Sequence, residues 1–131
     1  MAGPAGGPGE RDHARTHVVV HRDDAEQHLI HKVEGRALEV PAGVRVLAEG
    51  DAMIVLEVTM HAGGSSPEHV HDHESVGYLV RGRARTVVDG VSQELAPGDG
   101  FRHPPGAPHT MAALEDDTVW LEIKSPPART W

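Results

Sequence analysis

The stretch from Gly63 to Gly82, GGSSPEHVHDHESVGYLVRG, sets His69, His71 and His73 at alternate positions and runs into the apolar Gly77-Tyr78-Leu79-Val80. On an extended chain alternate side chains leave the same face, so the three imidazoles and Ser75 point one way while Glu74 points the other. A second stretch, Gly98-x5-Pro104-x-Gly106-x2-His109, supplies another imidazole from a segment stiffened by Pro104, Pro105 and Pro108. Two imidazoles on one strand can grip an ion if a third arrives from another strand, and His109 is the natural third. Stiffness matters there because a metal site tolerates only small errors in ligand position.

Outward from these stretches the chain reads as β. Segments 36–40, 44–48 and 52–61 are separated by Pro41-Ala42-Gly43 and Glu49-Gly50-Asp51, which are turn chemistry. In the third segment Met53, Val55, Glu57 and Thr59 alternate with Ile54, Leu56, Val58 and Met60, and both faces are mostly apolar, which predicts cover on both sides. Segments 76–80 and 84–88 are strands, and Asp89-Gly90 between Val88 and Val91 is a strong hairpin signal. Leu95-Ala96-Pro97-Gly98-Asp99 makes a turn, 118–123 a last strand, and Ser125-Pro126-Pro127 stops it. Upstream, Val18-Val19-Val20 is an expected edge strand. Residues 23–32, acidic early and basic late, suit one or two helical turns, with His28 and His31 as a solvated or partner-facing pair on a shared face. Residues 1–16, rich in Gly, Ala and Pro, read as a disordered lead-in. The expectation is one all-β sandwich or barrel over residues 17–131.

Composition bounds the function. The 131 residues carry a formal net charge of -8, which argues against nucleic acid or anionic lipid as partner. Cysteine is absent, which excludes disulfides, thiolate chemistry and cysteine-ligated metals. No apolar run is long enough for a membrane span and no signal peptide is visible, so a soluble cytoplasmic protein is expected. Aromatics are only 3%, leaving Val, Leu, Ile and Met to build the core, whereas histidine, the commonest metal ligand, occurs 11 times.

The two histidine stretches resemble the paired signatures of the cupin superfamily, G-x5-H-x-H-x3,4-E-x6-G and G-x5-P-x-G-x2-H-x3-N, with every spacing intact from Gly63 to His109. The resemblance implies a double-stranded β-helix, the jelly-roll barrel, with a mononuclear metal at its mouth, commonly built as a dimer. It puts His69, His71 and His109 at ligand positions for one divalent ion: zinc, nickel, manganese, iron or copper. Ser75 stands where most relatives carry Glu or Gln, and Ala113 where the motif ends in Asn. Serine is a weak, neutral ligand, so His73, on the same face, and His103, just before Pro104, join Ser75 as further candidates. Three neutral imidazoles leave the ion's charge uncompensated, which favours anionic ligands and lowers the pKa of bound water.

The runs Pro67–Glu74, Gly77–Val80 and Leu121–Pro127 are also similar to single-domain cupins that ketonise unsaturated uronates. In that group an acidic residue on the last strand acts beside the metal, and Glu122 falls there. The aromatic expected two residues on is Lys124, and Ala128 replaces a basic residue, with Arg129 next along. A carboxylate facing an apolar interior has its charged form disfavoured and can shuttle a proton near neutral pH; Glu122 could equally form an ion pair with Lys124.

The leading expectation is a metal-dependent enzyme, with Glu122 catalytic, that isomerises or tautomerises an anionic sugar-acid-like or keto molecule. A metal-dependent (di)oxygenase and a non-catalytic small-molecule-binding cupin are the alternatives. Met53, Met60 and Met111 read as barrel filling, Arg81, Arg83 and Arg85 as a solvated face. The β-rich segment before Gly50, apolar on both faces, needs cover that a homodimer would supply.

Overall fold

Nine strands follow one another in the computed structural model, which describes residues 14, 17–129 and 131. They are β1 (His28–Val33), β2 (Arg36–Glu49), β3 (Ile54–Met60), β4 (Glu74–Arg81), β5 (Ala84–Val88), β6 (Val91–Leu95), β7 (Gly100–His103), β8 (His109–Ala113) and β9 (Thr118–Ser125). A six-stranded sheet in the order β1-β2-β3-β9-β4-β7 faces a three-stranded sheet in the order β6-β5-β8, and every pairing is antiparallel. This is the all-β jelly roll that the sequence predicts. Two isolated bridges, Ser65↔Ala112 and His69↔His109, bind the ligand-bearing segment alongside β8. Arg22–Asp24 form a single 3-10 turn, and among the described residues no helix is long and apolar enough to cross a membrane.

The period-two pattern of β3 explains its place. Ile54, Leu56, Val58 and Met60 are buried, while Val55, Glu57 and Thr59 are only half-buried, so one face is covered fully and the other in part. Ile54, Leu56, Leu79, Val44 and Val46 form the best-covered part of the interior, and Trp120 joins them there. Gly77 makes room for an aromatic: a Cβ there would lie 2.1 Å from Phe101 Cζ and 2.5 Å from the Leu121 carbonyl. At the β5–β6 hairpin Asp89 and Gly90 take φ of 49° and 79°, as a tight two-residue turn requires.

Several expectations are corrected upstream. Pro41-Ala42-Gly43 does not end a strand; β2 runs through it. Pro41 is tolerated because β1 pairs with Ala37 and then with Ala42, while pairing to β3 begins at Gly43, so its missing N–H falls outside both ladders. The helical reading of residues 23–32 holds only for the short 3-10 turn, and from His28 onward the segment is β1. Its spacing of three therefore separates His28, which is buried and paired with Glu26, from His31, which is exposed. Val18-Val19-Val20 forms no strand, and Val18 and Val19 are exposed. Met53 is exposed and fills nothing, unlike the buried Met60 and Met111. In the segment before Gly50, β2 is flanked by β1 and β3, and β1 forms the edge of the sheet. The expected lead-in, residues 1–16, lies outside the described residues except for Ala14, which is buried in the core cluster.

Candidate metal centre

The histidine stretch lies mostly ahead of β4 and is not the regular strand expected, because regular pairing starts only at Glu74. Its alternation survives nonetheless: His69, His71, His73 and Ser75 are buried, whereas Val70, Asp72 and Glu74 are exposed. The backbone keeps this segment extended by a reciprocal pair of hydrogen bonds, His69 N to His109 O at 3.1 Å and His109 N to His69 O at 3.0 Å. Those bonds bring the two motifs together. One ring nitrogen from each of His69, His71 and His109 lies within 4.8 Å of the others.

Hydrogen bonding decides which nitrogens face the centre. His69 Nδ1 donates to the Pro67 carbonyl (2.7 Å), His109 Nδ1 to the Ala107 carbonyl (3.0 Å), and His71 Nδ1 to Glu34 Oε1 (2.8 Å). Carbonyl and carboxylate oxygens only accept, so the proton of each neutral ring sits on Nδ1 and the lone pair on Nε2. Outer hydrogen bonds of this kind orient the ring and raise its basicity toward a metal. Burial, helped by Lys124 and the neighbouring imidazoles, pushes His71 down to about 3. Burial likewise lowers His69 and His73. The rings of His69, His71 and His73 are therefore neutral at physiological pH, as metal ligation needs. The residues present fit a nitrogen-ligated divalent ion.

The remaining candidates surround this cluster. His103 stacks on His109 with ring centroids 4.2 Å apart, and its Nε2 lies 2.9 Å from Thr86 Oγ1. Because Thr86 spends its one hydroxyl proton on the Thr110 carbonyl, His103 Nε2 must donate, which occupies that nitrogen away from the cluster. Burial, then His109, lowers His103 to about 4. His73 stacks on His71 at 4.3 Å, and its Nε2 is buried with no hydrogen-bond partner among the described residues. Ser75 Oγ is in the same condition. Glu74 faces outward, paired with Arg102 at 3.0 Å.

Glu122 and Lys124 reach the interior from β9, their charged atoms 3.6 Å apart, and Trp120 Nε1 donates to Glu122 Oε1 at 3.1 Å. Burial acts against the charged carboxyl, yet Lys124 and the Trp120 N–H outweigh it and hold Glu122 below its usual range. The expected disfavouring of the charged form is thus reversed: Glu122 is an ionised carboxylate. Glu122 and Lys124 share with His69, His71, His103 and His109 the wall of an interior cavity of about 60 Å³. His71 also borders an outer groove of about 590 Å³ with Glu34, Asp72 and Pro105.

Sequence reasoning missed Glu34, β7 and β8. Glu34-Gly35 could be read as a turn, but nothing in it signals a reach to a histidine 37 residues away. Arg81, Arg83 and Arg85 are exposed, the last two beside Glu94, as a solvated face.

Residues 56–124 match the family described as the cupin domain. The pectin degradation protein KdgF of Dickeya dadantii (strain 3937) is 24% identical over 83 residues, which make up 63% of this chain and 76% of that protein. Among solved structures, KdgF from Halomonas sp. matches with a TM-score of 0.64 at 28% identity, covering 67% of this chain and 80% of that one. An RmlC-like cupin from Shewanella frigidimarina NCIMB 400 matches in fold with a TM-score of 0.74 at 23% identity, over 86% of this chain and 93% of its own.

Proposed function

The chain belongs to the cupin family, and from that premise we propose that it is a metal-dependent isomerase acting on a small anionic sugar-acid-like or keto substrate. The supporting observation is the convergence of three buried imidazoles, each held by an Nδ1 hydrogen bond that turns Nε2 inward. His69, His71 and His109 would hold one divalent ion. When bound, the ion supplies Lewis acidity toward a substrate oxygen.

The chain's own groups handle the proton. Glu122 is ionised, so it begins as the base: it takes the proton from an enol hydroxyl and returns it to the adjacent carbon, which converts enol to ketone with nothing added or lost. Trp120 pins one carboxylate oxygen during this transfer. The interior cavity admits the reacting end of a substrate, and the outer groove beside His71 accommodates the rest. A relative named for pectin degradation supports an unsaturated uronate as the substrate class.

The test follows the ultraviolet absorbance of an unsaturated uronate mixed with metal-loaded protein. Turnover is expected, and Glu122→Gln is expected to slow it by about 10²–10⁴-fold with metal content unchanged. No turnover of uronates or related keto acids by metal-loaded protein would end the isomerase reading.

The proposal extends to residues 17–131 acting as one domain and pairing as a homodimer. Val76, Tyr78 and Val80 are 39%, 49% and 43% exposed on the outer face of β4, an apolar stripe that a second copy would cover. A monomer by light scattering removes the dimer.

A further inference from the structure

One rung of the six-stranded sheet sets three polar side chains next to one another in the interior. Cross-strand pairing aligns His103 with Ser75, Ser75 with Lys124, and Lys124 with Ile54, and all four are buried. The next rung is Phe101, Gly77, Glu122 and Leu56. We propose that Lys124 and Ser75 form an anion subsite beside the three-histidine cluster, which takes the carboxylate of a small organic acid and so presents the substrate's reacting end to Glu122. The inference rests on the preceding reading of this cavity as the substrate pocket.

Lysine is almost never fully buried, because removing an ammonium from water is costly. Lys124 is nonetheless 3% exposed. It pairs with Glu122 at 3.6 Å, and one oxygen of Glu122 also accepts from Trp120. A buried ion pair adds little to stability, so stability alone is a weak reason for the charge to be there.

Ser75 is the second element. Directly opposed residues on neighbouring antiparallel strands have Cβ atoms about 4.5–5.5 Å apart, so the Ser75 hydroxyl and the Lys124 stem start side by side. The hydroxyl is buried with no partner among the described residues, a condition that costs free energy until an acceptor or donor reaches it. A carboxylate spanning the ammonium and the hydroxyl satisfies it.

Charge balance points the same way. Among the described residues Glu122 and Lys124 are the only charged side chains on the cavity wall and they offset each other, so no described residue of that wall neutralises a dication held by the three histidines. An anionic ligand is what restores neutrality. Lys124 lines the same cavity as His69, His71 and His109. The cavity's size suits a carboxylate headgroup more than a whole sugar acid.

Calorimetric titration of zinc-loaded protein with acetate, and separately with neutral imidazole, tests the subsite in wild type, Lys124→Met and Ser75→Ala. Acetate affinity is expected to fall at least about tenfold in Lys124→Met and a few-fold in Ser75→Ala, while imidazole affinity and zinc stoichiometry stay the same. The double variant Lys124→Met/Glu122→Gln removes both buried charges, guards against misfolding of the single one, and is expected to show the same acetate loss. Acetate affinity within twofold of wild type in both Lys124 variants overturns the proposal, as does equal weakening of acetate and imidazole. Zinc content separates the two readings. A wild type that holds no zinc defeats the metal enzyme, while the same acetate titration of that protein still reports on Lys124, and failure of acetate to bind it overturns the subsite.

Discussion

Two halves of the histidine cluster are held in different ways. His69 and His109 each donate to a backbone carbonyl two residues back, and their own backbones bond to each other. His71 instead relies on a side chain, Glu34, carried at the tip of the β1–β2 hairpin in a left-handed conformation with φ of 49°. Arg36 Nη1 ties the same hairpin to the ligand segment through the Glu68 carbonyl at 2.7 Å. The first arrangement uses only backbone acceptors. The second couples the cluster to the N-terminal hairpin, so one exposed residue outside the motifs governs the ring that borders both the cavity and the outer groove.

That contrast can be broken by substitution. Removing an imidazole from the local half has the largest effect: His69→Ala or His109→Ala is expected to abolish stoichiometric metal, measured by elemental analysis of untagged protein. Retention of full metal in both would dispose of the cluster as a metal centre. The remote half is expected to respond more mildly. Glu34→Ala should weaken metal affinity by about 10–100-fold, because His71 loses the acceptor that orients it. Glu34→Gln should restore much of it, since the amide oxygen still accepts from Nδ1. Equal affinities for all three proteins in a chelator competition would show that the hairpin plays no part.

A smaller effect sharpens the comparison through pH. His71 and His103 sit at about 3 and about 4, well below an ordinary imidazole, so between those values and about 6.5 the unfolded chain binds more protons than the folded one. Stability of the metal-free protein should therefore rise with pH across that window and level off above it. Each imidazole can add a slope approaching about 1.4 kcal/mol per pH unit. Urea midpoints measured from pH 4 to 8 check this. His103→Asn should flatten the rise, and an unchanged slope in that variant would exclude His103 as a contributor.

Much of this was legible in residue order alone. Period-two alternation in Ile54–Met60, the Asp89-Gly90 turn and the Gly/Pro punctuation mark an all-β chain, because each is a local consequence of side-chain direction or backbone freedom. The motif spacings picked out His69, His71 and His109 for the same reason. Alternation on an extended chain does not need a regular ladder, which is why the histidine face survives where the expected strand does not. Where the reading failed, two local rules competed. Acidic-then-basic order suggested a helix over residues 23–32, but β1 forms there by pairing with β2, and that pairing sends His28 inward and His31 outward. Pro41 resembled a strand end until the register placed it beyond both ladders.

The sequence by itself determined the class of fold, the faces of its strands and the imidazoles that share a face. Only the tertiary structure decided how those imidazoles are oriented and charged. Glu34 reaching His71 and Thr86 claiming His103 are contacts between distant parts of the chain, and Lys124 and Trp120, neighbours of Glu122 on β9, keep it ionised against the burial that the closed sheets impose. Protonation and tautomer depend on burial and on the partner within hydrogen-bonding reach, and neither exists until the sheets have closed around the site.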